Sequence, residues 1–170
     1  MSELTPIVAA GAELDRPPSW RVRAAEHRDA EKVAQAVAAL LTELGAAPPP
    51  SQEMREATRA LLDHPEEGAL FVAESDGELV GVLTVSWLST IHIPGRYGLI
   101  QDLWVHGAWR SRAIGCALLT ALFEVAREQG VSRVEVGLPQ ESFAGIEATA
   151  AFYRANGFDH LGPRMRTVLT

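Results

Sequence analysis

The sequence predicts a single α/β (α+β) domain, and three observations carry that prediction. The 170 residues are 47% hydrophobic and 22% charged, enough apolar material for one substantial core. The hydrophobic period changes along the chain, from helical spacing to short strand-like runs and back again. Asp76-Gly77 stands between two apolar runs and signals a β-hairpin, because glycine accepts the positive φ of such turns.

Residues 1–18 are rich in Ala, Pro and polar types without periodicity, and read as a flexible N-terminal arm before a domain spanning 19–170. Trp20-Arg21-Val22-Arg23 reads as a strand. Asp29 is placed to cap a helix carrying Val33, Val37, Leu40, Leu41 and Leu44, which Gly45 stops. After Pro48-Pro49-Pro50, Ser51 is placed to cap a second helix with Met54, Ala57 and Leu61 inward. Ala69–Ala73 and Leu79–Leu83 form the hairpin strands, the second running on towards Trp87. Ile91–Tyr97, with Pro94-Gly95, reads as a loop, and Leu99–Val105 as a strand. A helix over Ile114–Gln129 places Ile114, Leu118, Leu122 and Val125 on one face before Gly130. Val131–Leu138 follows as a strand, Glu147–Asn156 as a helix closed by Gly157, and Pro163–Thr170 as a final strand.

The bulk properties exclude several function classes. Asp and Glu outnumber Lys and Arg by 22 to 15, and a net charge of −7 repels a phosphate backbone, so nucleic acid is not the expected partner. Cys116 is the single cysteine, so no intrachain disulfide forms and a reducing compartment is expected. No apolar run approaches the roughly 20 residues that span a bilayer. The first residues lack the basic start and apolar centre of a secretory signal, so a cytoplasmic location is expected. The histidines at 27, 64, 92, 106 and 160 are scattered without metal-ligand spacing, and no metal is expected.

The chemistry concentrates in Leu103–Leu119, LWVHGAWRSRAIGCALL. A strand ends at Val105, a loop with Arg110 and Arg112 follows, and a helix starts at Ile114-Gly115. Small residues at Ser111, Ala113 and Gly115 let backbone amides approach a ligand, and the start of a helix favours an anion. The pattern describes a pyrophosphate cradle. It equally describes a tightly packed strand–turn–helix junction, so the residues alone leave both readings open. A GxxxxGK[ST] phosphate loop and a GxGxxG dinucleotide fingerprint are both absent.

Arg110-Ser111-Arg112-Ala113-Ile114-Gly115 resembles the acyl-coenzyme-A signature [QR]-x-x-G-x-[GA] of the GNAT superfamily, with Ala113 in place of the first glycine. Ala there suits a negative φ. Ala151-Phe152-Tyr153-Arg154-Ala155-Asn156-Gly157-Phe158 resembles the family's A-x-F-Y-x-x-x-G-F segment, although Ile146 stands where an Asn is frequent. The resemblance spans roughly Val22 to Phe158. It implies a mixed, mostly antiparallel central sheet flanked by about four helices, with acetyl-coenzyme A as acyl donor. The backbone of Leu103, Trp104 and Val105 would pair with the pantetheine arm. An N–H near Val105 would steady the oxyanion, a contribution of roughly 3–4 kcal/mol. The loop Arg110, Ser111, Arg112, Ala113, Ile114, Gly115 and Cys116 would hold the pyrophosphate.

The same resemblance makes Tyr153 the acid for the departing thiolate, against the alternative of a half-buried core tyrosine. Asp102 is the first candidate base, against a structural carboxylate, with His106 second and Glu135 a further candidate unless it pairs with Arg133. Gln101, His92 and Tyr97 are placed as acceptor contacts. Nothing resembling a nucleophilic motif surrounds Cys116, so direct transfer in a ternary complex is expected over an acyl-enzyme. The acceptor would be a primary amine of a small molecule or peptide, with a cationic one favoured. Two rivals remain: a coenzyme-A sensor without catalysis, and an interaction domain presenting Trp87, Trp104 and Trp109. Edge strands of small sheets often pair, which leaves a homodimer open.

Overall fold

The computed structural model describes residues 19–162 and 165–167. Its elements run β1 (Arg21–Ala24), α1 (Ala30–Glu43), α2 (Ser51–Asp63), β2 (Gly68–Ser75), β3 (Glu78–Ser89), β4 (Arg96–Val105), α3 (Ile114–Glu128), β5 (Val134–Val136) and α4 (Ile146–Ala155). Short 3₁₀ turns occupy His27–Asp29 and Gly107–Trp109. The expected order holds through α4. The arm expected at residues 1–18 lies outside the described residues. Of the strand expected at Pro163–Thr170, Met165, Arg166 and Thr167 form no strand, and the rest lies outside the described residues.

The strands lie in the order β1-β2-β3-β4-β5, antiparallel through β4 and parallel between β4 and β5. The β2–β3 turn has Asp76 at φ +50° and Gly77 at φ +79°, the left-handed pair that matches strand twist. One face of the sheet packs Leu70, Val72, Val82 and Trp104 against Val33 and Ala36 of α1. The other packs Phe71, Leu83, Val85 and Ile100 against Ile114, Leu118, Leu119 and Leu122 of α3, with Tyr153 of α4 in the same layer. Ala126 continues the buried stripe at i+4 from Leu122, so the expected Val125 is only half-buried. Among the described residues no helix is long and apolar enough to cross a membrane.

Several local expectations are corrected. The Asp29 side chain does not cap α1. Its carboxylate takes Arg23 Nη1 at 2.6 Å and Nη2 at 3.0 Å, and the Glu26 N–H at 2.8 Å. A charged two-point donor outcompetes a helix amide, and Arg23 holds the Asp29 carboxyl below the usual carboxylate range. Arg23 Nε also donates to Glu74 at 2.8 Å, so this cluster ties β1 to β2 and to the start of α1. Ser51 lies inside α2, preceded by Pro50, and caps nothing. Ala57 is exposed, and Thr58 is buried in its stead because its hydroxyl donates to the Met54 carbonyl at 2.8 Å. The loop before β4 is shorter than Ile91–Tyr97, since Arg96 and Tyr97 already pair with Ser89 and Leu88. β5 is shorter than Val131–Leu138. Val131 returns its N–H to the Ala126 carbonyl and closes the α3 turn, and Pro139 has no N–H to extend a ladder.

Two glycines set how closely α3 sits on its neighbours. A Cβ on Gly81 would lie 2.9 Å from Ile114 Cγ2 and 3.1 Å from Leu118 Cδ1. A Cβ on Gly115 would lie 3.0 Å from Phe152 Cζ. The first turn of α3 is therefore wedged between β3 and α4, which fixes the loop leading into it. Leu118 is fully buried in this seat, so Leu118→Ala is expected to cost about 3 kcal/mol of unfolding free energy in chemical denaturation.

Candidate active site

The site begins with an irregularity in β4. Thr84 pairs with Asp102 while the next residue, Val85, pairs with Ile100, so Gln101 is an extra residue in the ladder. Such a bulge re-aims the side chains around it. Gln101 Nε2 donates to Ser86 Oγ at 3.2 Å, and Thr84 Oγ1 donates to Asp102 Oδ2 at 2.5 Å. Thr84 and Ser86 are two apart on β3 and share a face, so Gln101 and Asp102 both point to the α1/α2 side of the sheet.

The bulge coincides with the end of the β4–β5 pairing, whose last partners are Ile100 and Val136. Beyond it, His106 donates its N–H to the Val80 carbonyl at 2.9 Å. Antiparallel alternation then turns the backbone groups of Asp102 and Trp104 towards β3, and those of Leu103 and Val105 towards the opposite edge. No described strand covers that edge. The N–H groups of Leu103 and Val105 thus face that edge.

The loop after β4 carries two left-handed non-glycine residues, Ser111 and Ala113, each at φ +61°. Ala113 therefore does not have the negative φ at which an alanine is readily tolerated. A left-handed alanine costs about 1–2 kcal/mol, and strain of this kind collects at functional sites. Left-handed residues also build the amide nests that hold anions. Ala113 precedes α3 with no side-chain cap, and the first helical bond runs from the Ala117 N–H to the Ala113 carbonyl. The N–H groups of Ile114, Gly115 and Cys116 thus have no partner within the helix.

Both loop arginines have partners within the protein. Arg110 Nη2 meets Glu43 Oε2 at 2.5 Å, and its Nε donates to the Val105 carbonyl at 3.1 Å. Arg112 lies over the Trp109 ring at 4.9 Å. Cys116 is exposed.

Tyr153 lies on the other face of the sheet, 7% exposed and edge-on to Phe152 and Phe158. Burial raises its phenol pKa well above the ordinary value. Its hydroxyl is hydrogen-bonded to no described residue. Asp102 is half-buried with no cation beside it, and burial pushes its carboxyl pKa up, the Thr84 hydrogen bond opposing in part.

Tyr97 is half-buried and shares the face of Gln101, four residues upstream, whereas His92 stands exposed in the loop before β4. His106 caps the 3₁₀ turn by accepting the Ala108 N–H on Nδ1 at 3.3 Å. Glu135 is half-buried, with Arg133 at 3.9 Å. Trp87 and Trp104 are 6% and 8% exposed, so two of the three tryptophans of the rival interaction-surface reading are buried. The residues that sequence reasoning missed are Thr84, Ser86 and Glu43. The first two had a signal, since polar residues alternate there with Leu83, Val85 and Trp87.

A family model described as "Acetyltransferase (GNAT) family" matches residues 34–158, which include the bulge, the open edge, the strained loop and Tyr153. The chain belongs to the GNAT acetyltransferase family. An uncharacterized N-acetyltransferase of Methanocaldococcus jannaschii is 31% identical over 96 residues, a match covering 55% of this chain and 40% of that protein. A possible acetyltransferase from Clostridium difficile 630 shares the fold at a TM-score of 0.74 and 16% identity, covering 89% of this chain and 98% of that one. A predicted acetyltransferase from Clostridium acetobutylicum, solved with acetyl-CoA, aligns at a TM-score of 0.74 and 15% identity, over 88% and 96% of the two chains. Within the matched residues, Gly115 lets the first turn of α3 approach Phe152.

Relieving the left-handed strain tests the loop. Ala113→Gly is expected to stabilise the fold by about 0.5–1 kcal/mol, after the entropy that glycine adds to the unfolded chain. It should also tighten acetyl-CoA binding in calorimetric titration.

Proposed function

We propose that this GNAT protein is an acetyl-CoA-dependent N-acetyltransferase that delivers the acetyl group directly to a primary amine in a ternary complex. The observation that carries the reading is the open β4 edge at Leu103–Val105, continuous with the uncapped start of α3. An extended amide-bearing arm fits the edge, and an anionic group fits the helix start. The residues present therefore fit acetyl-CoA as the acyl donor, with the loop Arg110–Cys116 around its pyrophosphate and the backbone of Leu103 and Val105 along its arm. Bound there, acetyl-CoA supplies a thioester carbonyl to the amine.

The protein's own groups divide the remaining work. The N–H of Leu103 or Val105 faces the negative charge that develops on the carbonyl oxygen as the C–N bond forms. Asp102 takes the proton lost by the amine, directly or through water, and its raised pKa brings it closer to the working pH. Tyr153 gives a proton to the sulfur as the C–S bond breaks. Its raised pKa keeps the phenol protonated until then. Acid and base lie on opposite faces of the sheet, with the open edge between them. The carboxylates of Asp102 and Glu43 on the α1/α2 side favour an amine that arrives as a cation, on a small molecule or a peptide.

The pH argument has a definite sign. Because the folded state raises the Asp102 pKa, the neutral carboxyl favours folding, and that stability is lost as pH rises through the folded value. At pH 7 the ionised group weighs against the fold. Asp102→Asn is therefore expected to raise the melting temperature at pH 7. Over the same substitution kcat should fall about 10²–10⁴-fold and the acidic limb of the pH–rate profile should disappear. A variant that lost activity and stability together would make Asp102 structural. Binding of acetyl-CoA without turnover of any amine would favour a sensor.

A further inference from the structure

Glu43 is the last residue of α1. A carboxylate there opposes the helix dipole, whose C-terminal end favours cations. Its position is explained by what it holds. Oε1 accepts the Trp104 indole N–H at 3.2 Å, and Oε2 accepts Arg110 Nη2 at 2.5 Å. Arg110 in turn braces the Val105 carbonyl through Nε at 3.1 Å. Trp104 is buried, and a buried indole N–H without an acceptor is costly. One carboxylate thus joins α1 to the end of β4 and to the first residue of the coenzyme loop. An amide is a poorer substitute, because Gln has no charge to attract the guanidinium and would turn an NH2 donor towards one of the two donors.

We propose that Glu43 is a positioning residue for coenzyme binding, and that Arg110 acts as a brace between Glu43 and Val105 rather than as a charge on the pyrophosphate. The inference rests on the acetyltransferase reading above. In it, the protein itself neutralises Arg110. The anion is met by the loop amides and the uncapped first turn of α3, and the brace fixes the backbone at Val105 from which the loop departs. Arg110 and Glu43 are 51% and 41% exposed in their side chains, so their contribution to global stability is small. Their contribution lies in holding the loop in its binding geometry before coenzyme arrives.

The test is a double-mutant cycle on acetyl-CoA affinity by calorimetry, with Glu43→Gln, Arg110→Gln and the pair. A shared brace predicts that each single variant weakens binding about fivefold and the double variant no further. The KM for acetyl-CoA should rise more than kcat falls. Hydrogen exchange at residues 107–112 of the free protein should quicken in both single variants. Arg110→Lys separates the two roles of the arginine. Lysine keeps the charge but cannot span Glu43 and the Val105 carbonyl as the guanidinium does, so it should behave like Arg110→Gln. Two results would overturn the inference: Arg110→Lys binding as the parent does, or Arg110→Gln weakening binding while Glu43→Gln leaves it equal or tighter. If the parent protein did not bind acetyl-CoA at all, the acetyltransferase reading itself would fail. That outcome is distinct from a parent that binds and a cycle that shows no coupling.

Discussion

A β-strand exposes backbone donors and acceptors on both edges, and a protein interior tolerates few that go unmatched. β4 breaks this economy halfway along its length. From Gly98 to Ile100 it is paired on both sides, by β3 and by β5. After the extra residue Gln101, only β3 remains. The free edge at Leu103 and Val105 needs a partner that can supply extended backbone-like hydrogen bonds. The parallel β5 closes only the first part of that edge, and α3 starts its crossing beside the opening. In the proposed reaction the loop Arg110–Cys116, Tyr153 and Asp102 all act around this unmatched stretch.

The arrangement separates chemical environments that must differ. Asp102 is partly desolvated and faces hydroxyls instead of cations, so its carboxyl holds a proton more tightly than in water. Tyr153 sits among Phe152 and Phe158, where ionisation of the phenol is disfavoured. The two groups lie on opposite faces of the sheet, which keeps these environments apart. The loop after β4 also carries local strain. Ser111 and Ala113 adopt left-handed conformations that glycine would accept freely, at some expense in stability.

Much of this was legible in the sequence, and the exceptions follow one rule. Features written in local residue chemistry were recoverable: the Asp76-Gly77 turn, the helical stripe of Ile114, Leu118 and Leu122, the glycine ends at Gly45 and Gly130, and the small residues of the loop. Features decided by a distant partner were not. Asp29 has the identity of a helix cap, but Arg23 and Glu74 recruit it into an ion cluster. The bulge at Gln101 leaves no mark in the apolar pattern, since Ile100, Leu103 and Val105 remain apolar either way. The backbone that identifies Leu103 and Val105 as outward-facing donors depends on strand register, which no single residue encodes. Glu43 reads as one of many acidic surface residues until the fold places Trp104 and Arg110 against it.

Site-resolved hydrogen exchange of the parent protein, with and without acetyl-CoA, tests the central claim most directly. The account predicts that acetyl-CoA slows exchange at the Leu103 and Val105 amides and at residues 111–116, because these are the donors that lack protein partners. Saturable binding with protection elsewhere, for instance along the groove between β1 and α3 lined by Val22, Phe71, Ala117 and Ala121, would contradict it. So would exchange at Leu103 and Val105 that is already slow in the free protein, since the edge would then have a partner of its own.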